Sequence, residues 1–205
     1  MELAGIVTRS PVRRAEAVEE YPDVPLYDSL TDLLAAGVDA VVITTPPETR
    51  RELVLEATKA GVHVVADKPF APDAEVGREL VKAAADAGVI LNVFHNRRWD
   101  TDIRTLRSVL ESGAVGQVAR FESRFDLDQP DTLEALVARE LRLLGSEGSY
   151  VSQQGAYHRY YEPFALAVAG KGPEPVPGAE AVHTLEVLDA ARLSDAERRS
   201  VDLEG

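Results

Sequence analysis

Val62-His63-Val64-Val65-Ala66-Asp67-Lys68-Pro69-Phe70 is the stretch from which the rest of the chain can be read. Val62, Val64, Val65 and Ala66 form the short, β-branched apolar run expected of a strand buried on both faces. Such a strand delivers Asp67, Lys68 and Pro69 to its C-terminal edge. Open α/β sheets bind ligands in the crevice outside those edges. A lysine on a rigid strand end, beside a carboxylate, is a candidate proton donor or electrostatic clamp. Pro69 lacks an N–H and fixes φ, so it ends the strand pairing and stiffens the turn that holds the lysine. The same residues also read as an Asp-Lys-Pro surface turn that merely closes a strand, since lysines are common at such places.

Strands and helices alternate on either side of this stretch. Glu2 to Thr8 reads as a strand, Ser10 and Pro11 as N-cap and first helical residue, and Arg13 to Glu20 as a helix with little apolar surface. Tyr21 to Tyr27 holds two prolines and reads as a short strand or extended link. Ser29 caps a short helix through Ala36, with Leu30, Leu33 and Leu34 on one face. Val38 to Thr45 is a second buried strand ending in Pro46-Pro47, and Glu48 to Ala60 is a helix with Leu53, Val54 and Ala57 inward. After the Lys68 strand come a helix over Asp73 to Ala87, stopped by Gly88 as a C′ glycine, and a strand over Val89 to His95. Alternation with short loops implies parallel strands and crossover helices. The fold class is α/β, a doubly wound parallel sheet.

The pattern changes beyond Asn96. Asp100 to Ser112 is helical, with Ile103, Leu106, Val109 and Leu110 at three-to-four spacing. Gln117 to Phe125 alternates polar and apolar residues, the mark of a strand with one solvated face. A parallel α/β domain over residues 1–114 and a reduced α+β domain over 115–205 are therefore expected. Asp131 to Leu144 fits an amphipathic helix. Alternatively, Leu141 to Leu144 ends a strand that turns at Gly145–Gly148 into Ser149–Gln153. Tyr157 to Ala169 reads as a helix, Gly170 to Gly178 as a Pro/Gly-rich loop, Ala179 to Arg192 as a long helix, Ser194 as the cap of one more turn, and Ser200 to Leu203 as a strand.

Composition narrows the chemistry. The 205 residues are 45% hydrophobic and 28% charged, with a net charge of −13, which argues against nucleic-acid or anionic-membrane partners. With no cysteine, thiol catalysis and thiolate metal sites are excluded. No apolar run approaches the roughly 18 residues of a membrane span, and no basic-then-apolar leader is present, so a cytoplasmic setting is expected.

Four segments read together carry a resemblance: Val41–Pro47, Val64–Phe70, Val93–Asp100 (Val-Phe-His-Asn-Arg-Arg-Trp-Asp) and Leu143–Val151. In this order and spacing the chain resembles the Gfo/Idh/MocA oxidoreductases, the family of glucose–fructose oxidoreductase and inositol dehydrogenase. The resemblance implies a Rossmann-like domain and hydride transfer between NAD(P) and a sugar, polyol or related carbonyl compound. It implies Lys68 as the catalytic lysine, bonded to the reacting oxygen and the nicotinamide ribose, with Asp67 beside that ribose. Thr44, Thr45 and Pro46 would line the cofactor, Asn96 and Arg97 would border nicotinamide and substrate, and Trp99 would close the substrate pocket. Thr8, Arg9 and Ser10 follow the strand where such enzymes read the adenosine ribose. Arginine there suits a 2′-phosphate, so NADP is favoured over NAD. No metal is implied, and homo-oligomers are the expectation for a complete family member.

Each residue also has a plainer reading. Trp99 can plug a seam, Arg97, Arg98 and Arg13 can be surface charges, and His63 and His95 can be core histidines satisfied by backbone. His158 and His183 have no second ligand at an i+4 position, which makes them surface residues rather than metal ligands. Two departures from the family stand out. No Gly-x-Gly-x-x-Gly run occurs, so the sheet is expected to lack its first strand. The family's Asp-x-Gly-x-His type segment, which supplies a catalytic histidine, is also missing. The expectation is an incomplete family oxidoreductase. The alternative is an inactive remnant serving as a binding or assembly subunit.

Overall fold

The structure, a computed structural model, describes residues 1–114, 116–117, 142–145, 148–151 and 156–203. The chain forms two compact units, Met1–His95 together with Tyr161–Gly205, and Asn96–Tyr160.

The first unit is built on parallel strands. β3 (Ala40–Ile43), β4 (His63–Ala66) and β5 (Leu91–Val93) form one sheet in that order, with Ile43 opposite Ala66 and Ala66 opposite Val93. β1 (Ile6–Val7) and β2 (Leu26–Tyr27) form a separate parallel pair. The expected strand over Glu2–Thr8 shrinks to two residues. Its partner is bracketed by proline: Pro25 accepts from Ile6 N–H but has no N–H to continue the ladder. In central β4, Val64, Val65 and Ala66 have zero exposure.

The helices follow the reading closely. α1 (Pro11–Glu20) is capped by Ser10, whose hydroxyl accepts from Arg13 N–H, and α2 (Leu30–Ala35) is capped by Ser29. α3 (Pro47–Lys59) buries Val54 and Ala57. α4 (Ala74–Ala87) is capped by Asp73 and stopped by Gly88 at φ 67°. α6 (Tyr161–Val168) and α7 (Gly178–Glu197) complete the unit.

α7 holds α4 by polar ties as well as by packing. Asp189 accepts from Ala74 N–H at 2.8 Å, and Arg78 pairs with Glu186 at 2.9 Å. Gly77 lets the two helices approach: a Cβ there would lie 2.8 Å from Leu185 Cδ1. The Pro/Gly-rich loop does more than connect. Fully buried Asn92 of β5 donates to Glu174 and accepts from Val176 N–H, and Val93 N–H donates to the Val176 carbonyl. That loop thus covers the outer edge of β5, which would otherwise present open backbone groups.

Several expectations are corrected. Of the two readings left open for 141–144, the strand is the one found: β6 (Arg142–Gly145) pairs antiparallel with β7 (Gly148–Val151). Tyr157–Ala169 is not one helix but a 3₁₀ turn, Tyr157–Tyr160, followed by α6. Ser194 does not cap a new turn; it lies inside α7, which runs on to Glu197, and its hydroxyl donates to the Arg199 carbonyl. Ser200–Leu203 forms no strand. The strand expected over Gln117–Phe125 and the 131–141 part of the helix reading lie outside the described residues, apart from Gln117.

The second unit holds a 3₁₀ turn (Asn96–Trp99), α5 (Thr101–Glu111), the β6–β7 hairpin and the Tyr157–Tyr160 turn. Trp99 meets Tyr160 edge-on at 5.4 Å, and Tyr157 donates to the Asp100 carboxylate at 3.0 Å. Among the described residues, no helix is long and apolar enough to cross a membrane.

Candidate functional site

The parallel register decides which residues meet. Because Ile43 stands opposite Ala66, the chain leaves β3 and β4 side by side, at the same edge of the sheet. Asp67 N–H still donates to the Ile43 carbonyl at 2.9 Å, so Asp67-Lys68-Pro69 begins next to Thr44-Thr45-Pro46. Phe94 follows β5 at that edge, its N–H on the Ala66 carbonyl at 2.8 Å.

Within this edge Lys68 is exposed and Asp67 is half-buried. The Asp67 carboxylate accepts from Lys68 N–H at 2.8 Å, which folds the acid back over the turn. The Lys68–Pro69 peptide is cis. Thr44 is exposed, and Thr49 Oγ1 lies 2.9 Å from both Thr45 Oγ1 and the Pro46 carbonyl, tying the β3 turn to the first turn of α3.

Two residues at this edge escaped the sequence reading. Arg50 of α3 is 4% exposed, and its Nη1 donates to the Asp67 carbonyl at 2.8 Å and also to the Pro69 carbonyl. Its Nη2 lies 3.9 Å from the Asp67 carboxylate. Burial lowers its pKa, against the raising effect of Asp67 and Glu48, yet a guanidinium stays charged in proteins. Tyr161 of α6 stacks on Phe94 at 5.4 Å, and its pKa is raised first by burial and then by the Asp67 charge. The signal available for Arg50 was its place four residues after Pro46, which turns it inward beside Val54 and Ala57 by helical periodicity. Tyr161 lies nearly a hundred residues downstream of Asp67 and carried no local signal.

The remaining predicted residues lie on other elements. Thr8, Arg9 and Ser10 follow β1 in the two-stranded sheet. Arg9 Nε donates to the Asp28 carbonyl at 3.1 Å, Arg14 bridges the Thr8 carbonyl and the Asp28 carboxylate, and Ser10 serves as the helix cap. Asn96, Arg97 and Trp99 belong to the other compact unit, where Arg97 pairs with Asp100 at 3.0 Å. His63 is structural: its Nδ1 accepts from Ile90 N–H at 3.0 Å. His158 and His183 are exposed, and His183 faces Glu186 at 2.9 Å. Among the described residues, no group of three His, Cys, Asp or Glu could hold a metal ion.

The donor set at the β3–β4 edge, exposed threonine hydroxyls and an ammonium, suits ribose hydroxyls, an amide and a polarised oxygen. A diphosphate cradle is another matter. Among the described residues, the positive-φ glycines stand after helices α2, α3, α4, α5 and α6 and near Gln117, and none forms a strand-to-helix turn.

Comparison with known proteins gives these elements a family. The description "oxidoreductase family, NAD-binding Rossmann fold" matches residues 1–95, and "oxidoreductase family, C-terminal alpha/beta domain" matches residues 93–203. The chain belongs to the Gfo/Idh/MocA oxidoreductase family. An uncharacterized oxidoreductase of Schizosaccharomyces pombe is 41% identical to this family member over 124 residues, 60% of this chain and 34% of that protein. The NADP-dependent scyllo-inositol 2-dehydrogenase IolW of Bacillus subtilis is 31% identical over 120 residues, 58% of this chain and 34% of that enzyme. The chain thus spans about a third of the length of the curated relatives it matches. An Agrobacterium radiobacter oxidoreductase, solved with NAD+, L-tartaric acid and magnesium, shares the fold at a TM-score of 0.77 and 18% identity, covering 98% of this chain and 90% of that one.

Proposed function

We propose that the protein is an NAD(P)-dependent oxidoreductase acting on a sugar, polyol or related carbonyl compound, with Lys68 as its catalytic residue. The observation that carries this reading is an exposed lysine just past Val64–Ala66, the buried end of a central parallel strand, with the Thr44-Thr45 turn of the neighbouring strand beside it. The nicotinamide would supply the hydride acceptor or donor. The chain's own part is to place the Lys68 ammonium against the substrate oxygen, whose charge changes as the C–H bond is made or broken. Thr44, Thr45, Pro46 and Asp67 hold the ribose and nicotinamide side. Residues 1–114 carry the cofactor-binding role, and 115–205 the substrate and association role.

Thr8, Arg9 and Ser10 read the adenosine end. Arginine there favours NADP, the cofactor named for IolW. Nothing in the fold or the comparisons favours an inactive assembly subunit over this reading.

Steady-state assay of NADP(H) turnover at 340 nm across a panel of polyols and aldoses tests the proposal. Lys68→Ala should lower kcat by about 10²–10³-fold, the scale of losing one group that stabilises developing charge, with cofactor affinity little changed. Unchanged turnover in that variant would remove Lys68 from the mechanism.

A further inference from the structure

The most heavily invested side chain at the candidate site is one that no substrate can reach. Arg50 carries a full charge at 4% exposure. Its Nη1 serves two carbonyls, Asp67 and Pro69, the residues immediately before and after Lys68. Among the described residues no backbone N–H donates to either carbonyl, so the guanidinium is what satisfies them. Its Nε is buried with no hydrogen-bond partner.

That arrangement is expensive for stability alone. A buried charge with one unsatisfied donor and a carboxylate no nearer than 3.9 Å is weak evidence of net stabilisation. Packing needs at this position could be met by methionine, of similar length and without polar atoms. What methionine could not do is clamp both flanks of one residue. With Asp67 N–H fixed on the Ile43 carbonyl and Lys68 N–H fixed on the Asp67 carboxylate, the two Arg50 bonds complete the restraint on the lysine's backbone.

We propose that Arg50 is a positioning residue for Lys68: it holds the backbone on both sides of the lysine from within α3, so that the ammonium is presented in one place. This rests on the reading of Lys68 as the catalytic residue. It assigns Arg50 no contact with substrate or cofactor.

The experiment compares the 205-residue protein with Arg50→Met, Arg50→Lys and Arg50→Ala, and it reads two quantities. The first needs no cofactor: residue-resolved amide exchange at Lys68, with Val64 and Val65 of β4 as the reference for the fold. Arg50→Met should speed exchange at Lys68 by at least about tenfold while Val64 and Val65 keep their rates. Arg50→Lys should recover part of the protection. In Arg50→Ala, ethylguanidinium at tens of millimolar should restore it, and ethylammonium should not. The second reading is turnover, in which kcat should fall by about 10²-fold, the cost of a small misplacement, with KM for the cofactor little changed.

Lys68 exchange that stays slow in Arg50→Met overturns the proposal. So does loss of protection at Lys68 and β4 together, which marks a purely structural role, or equal rescue by ethylammonium. If Arg50→Met does not fold, the Arg50→Lys protein and the rescue comparison in Arg50→Ala decide. If the exchange results hold but no substrate is turned over by the parent protein, the oxidoreductase reading fails and the positioning role stands as a property of the turn.

Discussion

β4 and α1 belong to the same compact unit, yet they could hardly be held more differently. β4 is paired on both edges and its last three residues have no exposed surface. α1 has no buried residue at all, with Val12 at 67% and Val18 at 56% exposure, and the strand before it pairs over only two residues. Residues proposed to meet the cofactor follow β4 and precede α1. The difference separates two tasks. On the proposed reading, a group that meets the reacting atoms must be fixed, which the buried end of β4 provides for Lys68. A segment that reads the far end of a cofactor can sit on a flank that opens locally at little cost.

The largest effect should come from emptying the core behind the sheet. Leu80 of α4 is fully buried, and Leu80→Ala should cost about 2–5 kcal/mol in denaturant unfolding. Val18→Ala on α1 should stay within about 0.5 kcal/mol. Comparable losses from both would erase the contrast between the two regions.

Helix caps sharpen it at a smaller scale. Asp73 accepts from Val76 N–H at 2.8 Å and Ser10 from Arg13 N–H at 3.4 Å. Removing either by alanine deletes the same kind of bond, worth about 1 kcal/mol. Asp73→Ala should lower global stability by that amount, because α4 is packed on both α3 and α7. Ser10→Ala should leave the global midpoint in place and appear only as faster amide exchange within α1.

The smallest effect concerns acid. Arg51 of α3 bonds Glu79 of α4 on the exposed side of the same helix pair, and this bond lowers the Glu79 pKa. A carboxylate depressed in the folded state contributes stability above its unfolded pKa and loses it as pH falls through the folded value. Glu79→Gln should therefore narrow slightly the gap in midpoint between neutral and acidic pH, and thermal scans at both pH values should show a barely measurable change. A large change would mean that this surface pair, rather than the apolar seam, joins α3 to α4.

Burial also explains what the sequence could tell. The Val64–Ala66 run, the α4 stripe and the Gly88 stop were legible because each is fixed locally, by apolar period or by a glycine at positive φ. The closeness of Asp67-Lys68 to Thr44-Thr45 was legible because parallel strands place their C-terminal ends together by topology. Strand lengths were overestimated at Glu2–Thr8 because pairing depends on a partner shortened by Pro25. The hairpin of β6 and β7 was left undecided because Leu141–Leu144 fits either period. Arg50 went unread because an arginine in a helix looks like surface until its acceptors, the Asp67 and Pro69 carbonyls, are seen. Asn92 was read only as a strand residue, since its role depends on Glu174 and Val176, far along the chain.

The central claim is that the carboxyl edge of β3 and β4 is where the cofactor meets Lys68. The most direct test is residue-resolved NMR of the 205-residue protein titrated with NADP. Because no Gly-x-Gly-x-x-Gly run occurs among these residues, affinity should be roughly millimolar, a range chemical shifts read well. Shifts at Thr44, Thr45, Asp67 and Lys68, with weaker ones at Thr8–Ser10, are predicted, while β4 interior residues stay in place. Shifts that spare Asp67 and Lys68 at saturating cofactor, or that gather instead on the outer face of α7, would contradict the account.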